Sequence, residues 1–181
     1  MLKAKNKIDV RTMVKAGFLV AISIVMTRFV YIMLAPAGVQ ALRISFGDVP
    51  LMLSGILFGP LVGGLTGLAA DLIGFLINPM GPYHPGFTLS SILWGALPAF
   101  IFILLRGRKT FEKSLTFKNI VIAVLFTTIT VSLLLNTYWL SRLYGKGFLV
   151  LLPSRVIAAL ISIPLHSTII RALVKYLKFL I

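Results

Sequence analysis

Apolar residues fill most of this chain in long runs, which are separated by short polar or basic segments. The first run, from Met13 to Leu34, is long enough to cross about 30 Å of hydrocarbon as a helix. It is longer than the apolar part of a secretory signal, which is roughly 7–15 residues. The run therefore predicts a membrane-spanning helix, although the basic start and the sequence Ala35-Pro36-Ala37 also resemble a cleaved signal peptide.

The remaining runs predict five more helices. The short runs 49–58 and 61–77 meet at Gly59-Pro60, which favours two helices joined by a tight turn over a single crossing. Three longer runs follow, each separated from the next by a polar or basic segment. We therefore predict an all-α integral membrane protein with a single domain over residues 1–181. It is a compact bundle of six transmembrane helices, at about 12–34, 48–59, 61–77, 88–105, 119–140 and 153–178.

Charge and composition support a membrane protein. Only 12% of the residues are charged, whereas a soluble domain has about 25%. The net charge of +14 comes from basic residues that flank the apolar runs. Nucleic-acid binding would require one continuous basic face, so we expect no nucleic-acid partner. In the six-helix arrangement, thirteen of the eighteen Lys and Arg residues lie on the side of the termini, which predicts that both termini are cytoplasmic.

The sequence lacks the residues and motifs that metal binding and nucleotide hydrolysis require. The chain has no cysteine, and its two histidines are too far apart in sequence to show metal-ligand spacing. It contains neither the phosphate-binding motif G-x-x-x-x-G-K-[ST] nor the zinc motif H-E-x-x-H. We therefore expect a protein that is not an enzyme and that holds no metal or other cofactor.

The stretch from Arg43 to Ser91 carries the strongest signal of a binding site. Its short apolar runs are interrupted by Gly and Pro, and Asp71 lies inside the third helix. Such interrupted segments beside an intramembrane charge are typical of transporter binding sites. A carboxylate at this depth costs roughly 2.5–3.5 kcal/mol, so it should face a cavity or a partner. Small and polar residues share its helix face, which predicts either ligand contact or close helix packing with Asp71 paired to an arginine.

Other candidate ligand contacts lie near the predicted outer ends of the helices. Arg28, Arg43 and Arg155 could bind an anionic ligand there, or could lie at the membrane interface. In the Pro-rich loop before the fourth helix, Tyr83 and Phe87 could cover a ligand or anchor the loop at the interface. Thr88 is predicted to be the N-cap of that helix.

The last two helices also present polar faces. Asn136 and Trp139 are three residues apart and therefore share one face of the fifth helix. In the sixth helix, a stripe of small and polar residues recurs at helical spacing and is expected to point into the bundle: Arg155, Ala159, Ser162 and His166. His166 could contact a ligand or serve as a structural hydrogen-bonding residue.

Four sequence motifs give the chain a family resemblance. They are TRF at 27–29, RISFGDVPLMLSGILFGPLVGG at 43–64, ADLIG at 70–74 and YHPGFTLS at 83–90. With these motifs the chain resembles the S components, or substrate-binding subunits, of energy-coupling factor (ECF) vitamin transporters, and in particular the folate-specific type. The resemblance implies a vitamin site on the extracellular side. It also implies a transmembrane T component and two ATPase subunits as partners, with docking through small residues that match Gly17 and Ala21.

This resemblance, together with the residues, predicts a high-affinity folate-binding subunit in the cell membrane. Asp71 could accept hydrogen bonds from the pterin, and the flat rings of folate could stack on Tyr83, Phe87 or Trp139. Its glutamate carboxylates could be bound by Arg28, Arg43 or Arg155. One alternative is an S component for another flat heterocycle, such as riboflavin or a queuosine precursor. A second is a self-sufficient secondary transporter that is driven by protons through Asp71 and His166.

Overall fold

The computed structural model describes residues 9–34, 42–106 and 114–177 and forms a helical membrane bundle. The prediction of six helices is confirmed for these residues, and five of the helices are long and apolar enough to cross a membrane. They are α1 (Val10–Arg28), α2 (Asp48–Phe58), α3 (Pro60–Ile77), α4 (Pro85–Arg106), α5 (Phe117–Tyr144) and α6 (Phe148–Leu177). Between α1 and α2 the chain forms a small ribbon of two strands, β1 (Tyr31–Leu34) and β2 (Leu42–Ser45).

The first helix ends earlier than the sequence predicts. We expected it to continue to residue 34, which was wrong, because α1 stops at Arg28 and the next residues form β1. The 19 residues of α1 already extend about 28 Å, which is enough to cross the hydrocarbon. The residues that follow pair antiparallel with β2, from Tyr31 opposite Ser45 to Leu34 opposite Leu42.

The short helix α2 lies in the centre of the bundle. Every residue from Val49 to Leu57 is buried, because α1, α3, α4 and α6 surround the helix. A helix that is apolar all round requires such an environment. Gly59 then ends α2 with a φ of 95°, and Pro60 begins α3, so a single residue reverses the chain direction.

Three glycines let the backbones of α2, α3 and α4 touch. A Cβ atom at Gly55 or at Gly63 would collide with the carbonyl oxygen of Gly95. Small residues at such crossings allow the close helix packing that stabilises membrane bundles. On the outside, large apolar side chains such as Leu76 and Leu104 are about 80% exposed, as a surface in contact with lipid requires.

The fifth helix contains a long π-helical segment. Residues Thr128–Asn136 adopt this wider winding between the α-helical parts Phe117–Thr127 and Thr137–Tyr144. π-Helical turns are rare and frequently occur at functional sites. The segment lies along the wall of the cavity described below.

Candidate functional site

A cavity of about 270 Å³ opens at the end of the bundle where α1, α3 and α5 end and α4 and α6 begin. Residues from these five helices line it, together with the loop that leads into α4. Its wall combines two carboxylates, two arginines, aromatic rings and small hydroxyl groups. Among the residues that line it are Arg28, Asp48, Asp71, Phe75, Tyr83, Phe87, Ser90, Trp94, Thr128, Asn136, Arg155 and His166. A concave site with a few converging polar groups is the usual form of a small-molecule site.

A second, larger groove has a different character. It has a volume of about 940 Å³ and lies between α1, α2 and α6. Apart from Lys15, the side chains that line it are apolar, such as Phe18 and Leu53. Because it lacks the polar groups that orient a ligand, the cavity beside Asp71 is the candidate site.

Asp71 is held by two groups at the edge of the cavity. The Thr88 hydroxyl donates a hydrogen bond of 2.7 Å to Oδ2, and Nη2 of Arg28 lies 3.7 Å from Oδ1. The Tyr83 hydroxyl is 3.0 Å from Oγ1 of Thr88. Since the single proton of Thr88 points to Asp71, Tyr83 must donate to Thr88. The arginine pairing that the sequence left open is therefore present, and Asp71, Arg28 and Tyr83 also line the cavity.

Arg28 also joins the end of α1 to the end of α3. Its Nη1 donates to the backbone carbonyl of Asn78 at 3.2 Å, and the amide of Asn78 donates to the carbonyl of Arg28 at 3.3 Å. A Cβ atom at Gly74 would lie 3.0 Å from Nε of Arg28, so a glycine is needed beside the guanidinium. These contacts hold the cation at the cavity wall.

The start of α4 differs from the prediction. The helix begins at Pro85, so Thr88 lies within its first turn and is not the N-cap that the sequence predicted. Proline is well suited to this position, because the first turn of a helix does not need its backbone N–H. The earlier start aims the Thr88 hydroxyl at Asp71.

The loop before α4 is packed on aromatic rings. The His84 ring lies 5.8 Å from Phe87 and 5.4 Å from Trp139, between centroids, and its Nδ1 accepts the backbone N–H of Gly86. A Cβ atom at Gly86 would collide with the Trp139 ring. Trp139 is not among the residues that line the cavity, and it supports the loop from behind.

The polar stripe of α6 forms the opposite wall. Arg155, Ala159, Ser162 and His166 all line the cavity, and Asn136 of α5 does so as well. His166 is buried, and its Nε2 lies 3.2 Å from the backbone carbonyl oxygen of Ser45 at the end of β2. The ribbon and the cavity wall are therefore in direct contact.

Four predicted functional residues of the described part do not line the cavity: Gly17, Ala21, Thr88 and Trp139. The backbone of Arg43 belongs to β2, and its side chain lies outside the described part of the structure. Gly17 and Ala21 are exposed on α1, and a Cβ atom at Gly17 would meet no other atom within 4 Å. This smooth, open surface leaves room for close helix packing.

The sequence analysis missed Phe75, Ser90, Trp94 and Thr128, all of which line the cavity. Helical spacing could have found three of them. Phe75 lies one turn after Asp71, and Ser90 and Trp94 lie one and two turns after Phe87, so all three share a helix face with residues already selected. Thr128 carries no such signal, because buried hydroxyls are common in helices.

The fold and the cavity together define a multi-pass membrane protein with a ligand site at one end of its helical bundle. The family model for the S component of the ECF-type riboflavin transporter matches residues 7–175. The chain therefore belongs to the S-component family of ECF transporters, which are multi-pass proteins of the cell membrane.

Similar proteins carry a more specific description. The folate transporter FolT of Clostridium novyi (strain NT) is 36% identical over 161 residues, covering 89% of this chain and 86% of the relative. FolT of Leuconostoc mesenteroides is 28% identical over 165 residues, covering 88% and 82%. A crystal structure of FolT bound with folic acid matches with a TM-score of 0.73 and 29% identity, over 91% of this chain and 94% of that one. The S component of a bacterial ECF transporter matches with a TM-score of 0.64 and 28% identity, over 93% and 98%.

Proposed function

We propose that this chain is the high-affinity folate-binding subunit of an ECF importer. It captures folate at the extracellular side and delivers it through a transmembrane T component and two ATPase subunits. One observation carries the proposal: aromatic rings, two carboxylates and two arginines line a single cavity. The resemblance to FolT proteins over most of the chain supports it.

The cavity matches the chemistry of folate group by group. Folate joins a flat pterin to a benzoyl ring and a glutamate with two carboxylates. Tyr83, Phe87 and Trp94 supply rings on which the flat groups can stack. Asp71 has lone pairs beyond those that face Thr88 and Arg28, so it can still accept an N–H of the pterin.

The cations complete this match. A guanidinium has five N–H groups, and the contacts of Arg28 with Asp71 and Asn78 use only part of them. Because Arg28 lies beside Asp71, it can donate to an acceptor atom of the pterin, whereas Arg155 can bind a glutamate carboxylate in a bidentate manner. Arg43, whose side chain lies outside the described part of the structure, is proposed as a further cation for the ligand. Thr88 orients Asp71, Asn136 offers an amide to the ligand, and Trp139 supports the loop.

Riboflavin is the second candidate, because the matching family model is named for it. Riboflavin is also flat, but its ribityl chain carries no charge and offers no carboxylate for Arg155 of the cavity wall to bind. Isothermal titration of the purified protein with folate and with riboflavin distinguishes the two. We expect folate to bind far more tightly and to co-purify with the protein, as seen by mass spectrometry. Tighter riboflavin binding would overturn the assignment.

We further propose that the chain performs no catalysis and depends on its partners for transport. The paired state of Asp71 supports this, because a carboxylate held by Arg28 and Thr88 is poorly suited to carry protons across a membrane. In liposomes, folate uptake should require the T component and the ATPases together with ATP. Uptake by the isolated chain along a proton gradient would instead establish a secondary transporter.

The proposed direction of transport requires both termini to be cytoplasmic. The chain has no cysteine, so single cysteines can report on topology without background. Asp9→Cys lies at the start of α1, and Gly81→Cys lies in the loop beside the cavity. In intact cells, a membrane-impermeant maleimide should label the second variant and spare the first. The reverse pattern would invert the topology.

A further inference from the structure

His166 has one ring nitrogen with a partner and one without. The residue is only 2% exposed. Its Nε2 lies 3.2 Å from the carbonyl oxygen of Ser45, whereas its Nδ1 is buried and has no hydrogen-bond partner among the described residues. A buried polar atom without a partner costs free energy. His166 is among the residues that line the cavity, so a group bound there is the candidate partner for this atom.

The partner of Nε2 determines the chemistry of Nδ1. A backbone carbonyl can only accept, so Nε2 must carry a proton and donate to Ser45. In the neutral ring the second nitrogen is then an acceptor. The ribbon β1–β2 therefore sets the tautomer of a residue in the cavity wall.

Two hydroxyl groups of the same cavity also have no partner within the described part of the chain, those of Ser90 and Thr128. This is unusual within the bundle. The neighbouring Thr127 donates to the carbonyl of Ala123 at 2.7 Å, and Ser167 donates to that of Ile163 at 2.7 Å. Within the described residues, the cavity wall thus holds two acceptors without a partner, Nδ1 of His166 and Oδ1 of Asn136, and two hydroxyls that can either donate or accept.

We propose that Nδ1 of His166 accepts a hydrogen bond from an N–H group of the bound ligand, and that the carbonyl of Ser45 holds it ready to do so. The site therefore selects a heterocycle whose buried edge carries a donor. This inference rests on the proposed function, since the pterin of folate presents such N–H groups.

Nitrogen NMR tests the proposal on the unmodified protein. The chain has two histidines, so ¹⁵N-histidine labelling gives two ring spectra, which a His84→Gln variant assigns. Nδ1 of His84 already accepts the N–H of Gly86 and serves as an internal reference. We expect the free protein to show His166 protonated at Nε2 alone. Folate should then shift its Nδ1 signal towards that of a hydrogen-bonded acceptor. A proton on Nδ1 in the free protein, or no shift at saturating folate, would overturn the proposal.

A matched pair of variants separates the two nitrogens. In His166→Asn the amide can occupy the position of Nδ1, while in His166→Gln it can occupy that of Nε2. If Nδ1 contacts the ligand, the Gln variant should lose about 5- to 150-fold in folate affinity, and the Asn variant should lose less. If His166 only secures the ribbon, the Gln variant should bind at least as well as the Asn variant.

These outcomes are separable from failure of the proposed function. If wild-type protein fails to bind folate, the folate assignment is lost. The other outcome is that wild-type protein binds folate without a shift of the His166 Nδ1 signal, and that the Gln variant binds folate as well as the Asn variant. In that case only the proposed role of His166 is lost. Thermal unfolding of each variant shows whether it is folded.

Discussion

Replacing Asp71 by Asn tests two roles of this carboxylate at once. The change keeps the volume of the side chain and removes its charge. The amide oxygen can still accept the hydrogen bond of Thr88, which is 2.7 Å long in the structure. The amide nitrogen would then face Nη2 of Arg28, where a carboxylate oxygen now lies at 3.7 Å. A favourable ion pair would thus be replaced by a contact between two donors.

The distance sets the size of the effect on stability. Two unit charges at 3.7 Å attract by about 4.5 kcal/mol at an effective dielectric constant of ~20. The variant also no longer needs to bury a carboxylate, and this recovers part of the loss. Both side chains retain some exposure, 11% for Arg28 and 14% for Asp71. We therefore expect the free energy of unfolding without ligand to fall by about 2 kcal/mol, or roughly 4–8 °C in melting temperature.

The effect on ligand binding is estimated separately. If Asp71 accepts a pterin N–H, the variant loses a charge-assisted hydrogen bond and leaves a donor of the ligand unpaired. The cost is about 2–4 kcal/mol, or about thirty- to thousand-fold in the dissociation constant. Isothermal titration with folate measures this loss, and thermal unfolding of the free protein measures the loss of stability.

Two further variants control the experiment. Asp9→Asn makes the same chemical change on an exposed residue at the start of α1 and should alter neither quantity. Arg28→Met combined with Asp71→Asn removes both charges and should recover most of the lost stability, but none of the affinity. Unchanged stability in Asp71→Asn would refute the importance of the ion pair. Near-normal folate affinity would refute the acceptor role.

Three other predictions concern the loop, its Phe87 ring and the exposed face of α1. Gly86→Ala should displace the loop from Trp139 and weaken folate binding by about tenfold, whereas Gly147→Ala, whose Cβ would meet only an ordinary contact at 3.6 Å and which does not line the cavity, should bind as wild type does. Phe87→Ala should raise the dissociation constant for folate through lost stacking, by about 1 kcal/mol beyond the buried area, and an unchanged value would leave this ring with an anchoring role. Gly17→Leu or Ala21→Leu should block uptake by the complete transporter through steric bulk while folate binding persists. Gly17→Ala is the matched control, because it keeps a small residue and its Cβ meets no other atom within 4 Å.

The membrane bundle could be predicted from the sequence because its cause is local. Long apolar runs must form helices in lipid, where every backbone N–H and carbonyl needs an internal partner. The turn at Gly59-Pro60 is also local, since only glycine readily adopts its φ of 95°. The helix face that carries Asp71 follows from helical periodicity alone.

The details of the site depend on contacts between distant segments. Residues 31–34 form a strand because β2 is there to pair with them, and no pattern within this short apolar run indicates the pairing. Thr88 contacts Asp71 across 17 residues of sequence, and His166 reaches Ser45 across 121. Trp139 was expected to stack on a ligand, but Gly86 brings the backbone against its ring and places it behind the loop.

The sequence by itself thus determined which residue types are available to a ligand: one intramembrane carboxylate, a few arginines near helix ends and a loop rich in aromatic residues. Only the tertiary structure decided how they are used. It paired Asp71 with Arg28 and Thr88 and left Nδ1 of His166 without a partner among the described residues. The physical reason is that hydrogen bonding depends on the position and direction of each atom to within about an ångström, which helical periodicity does not specify.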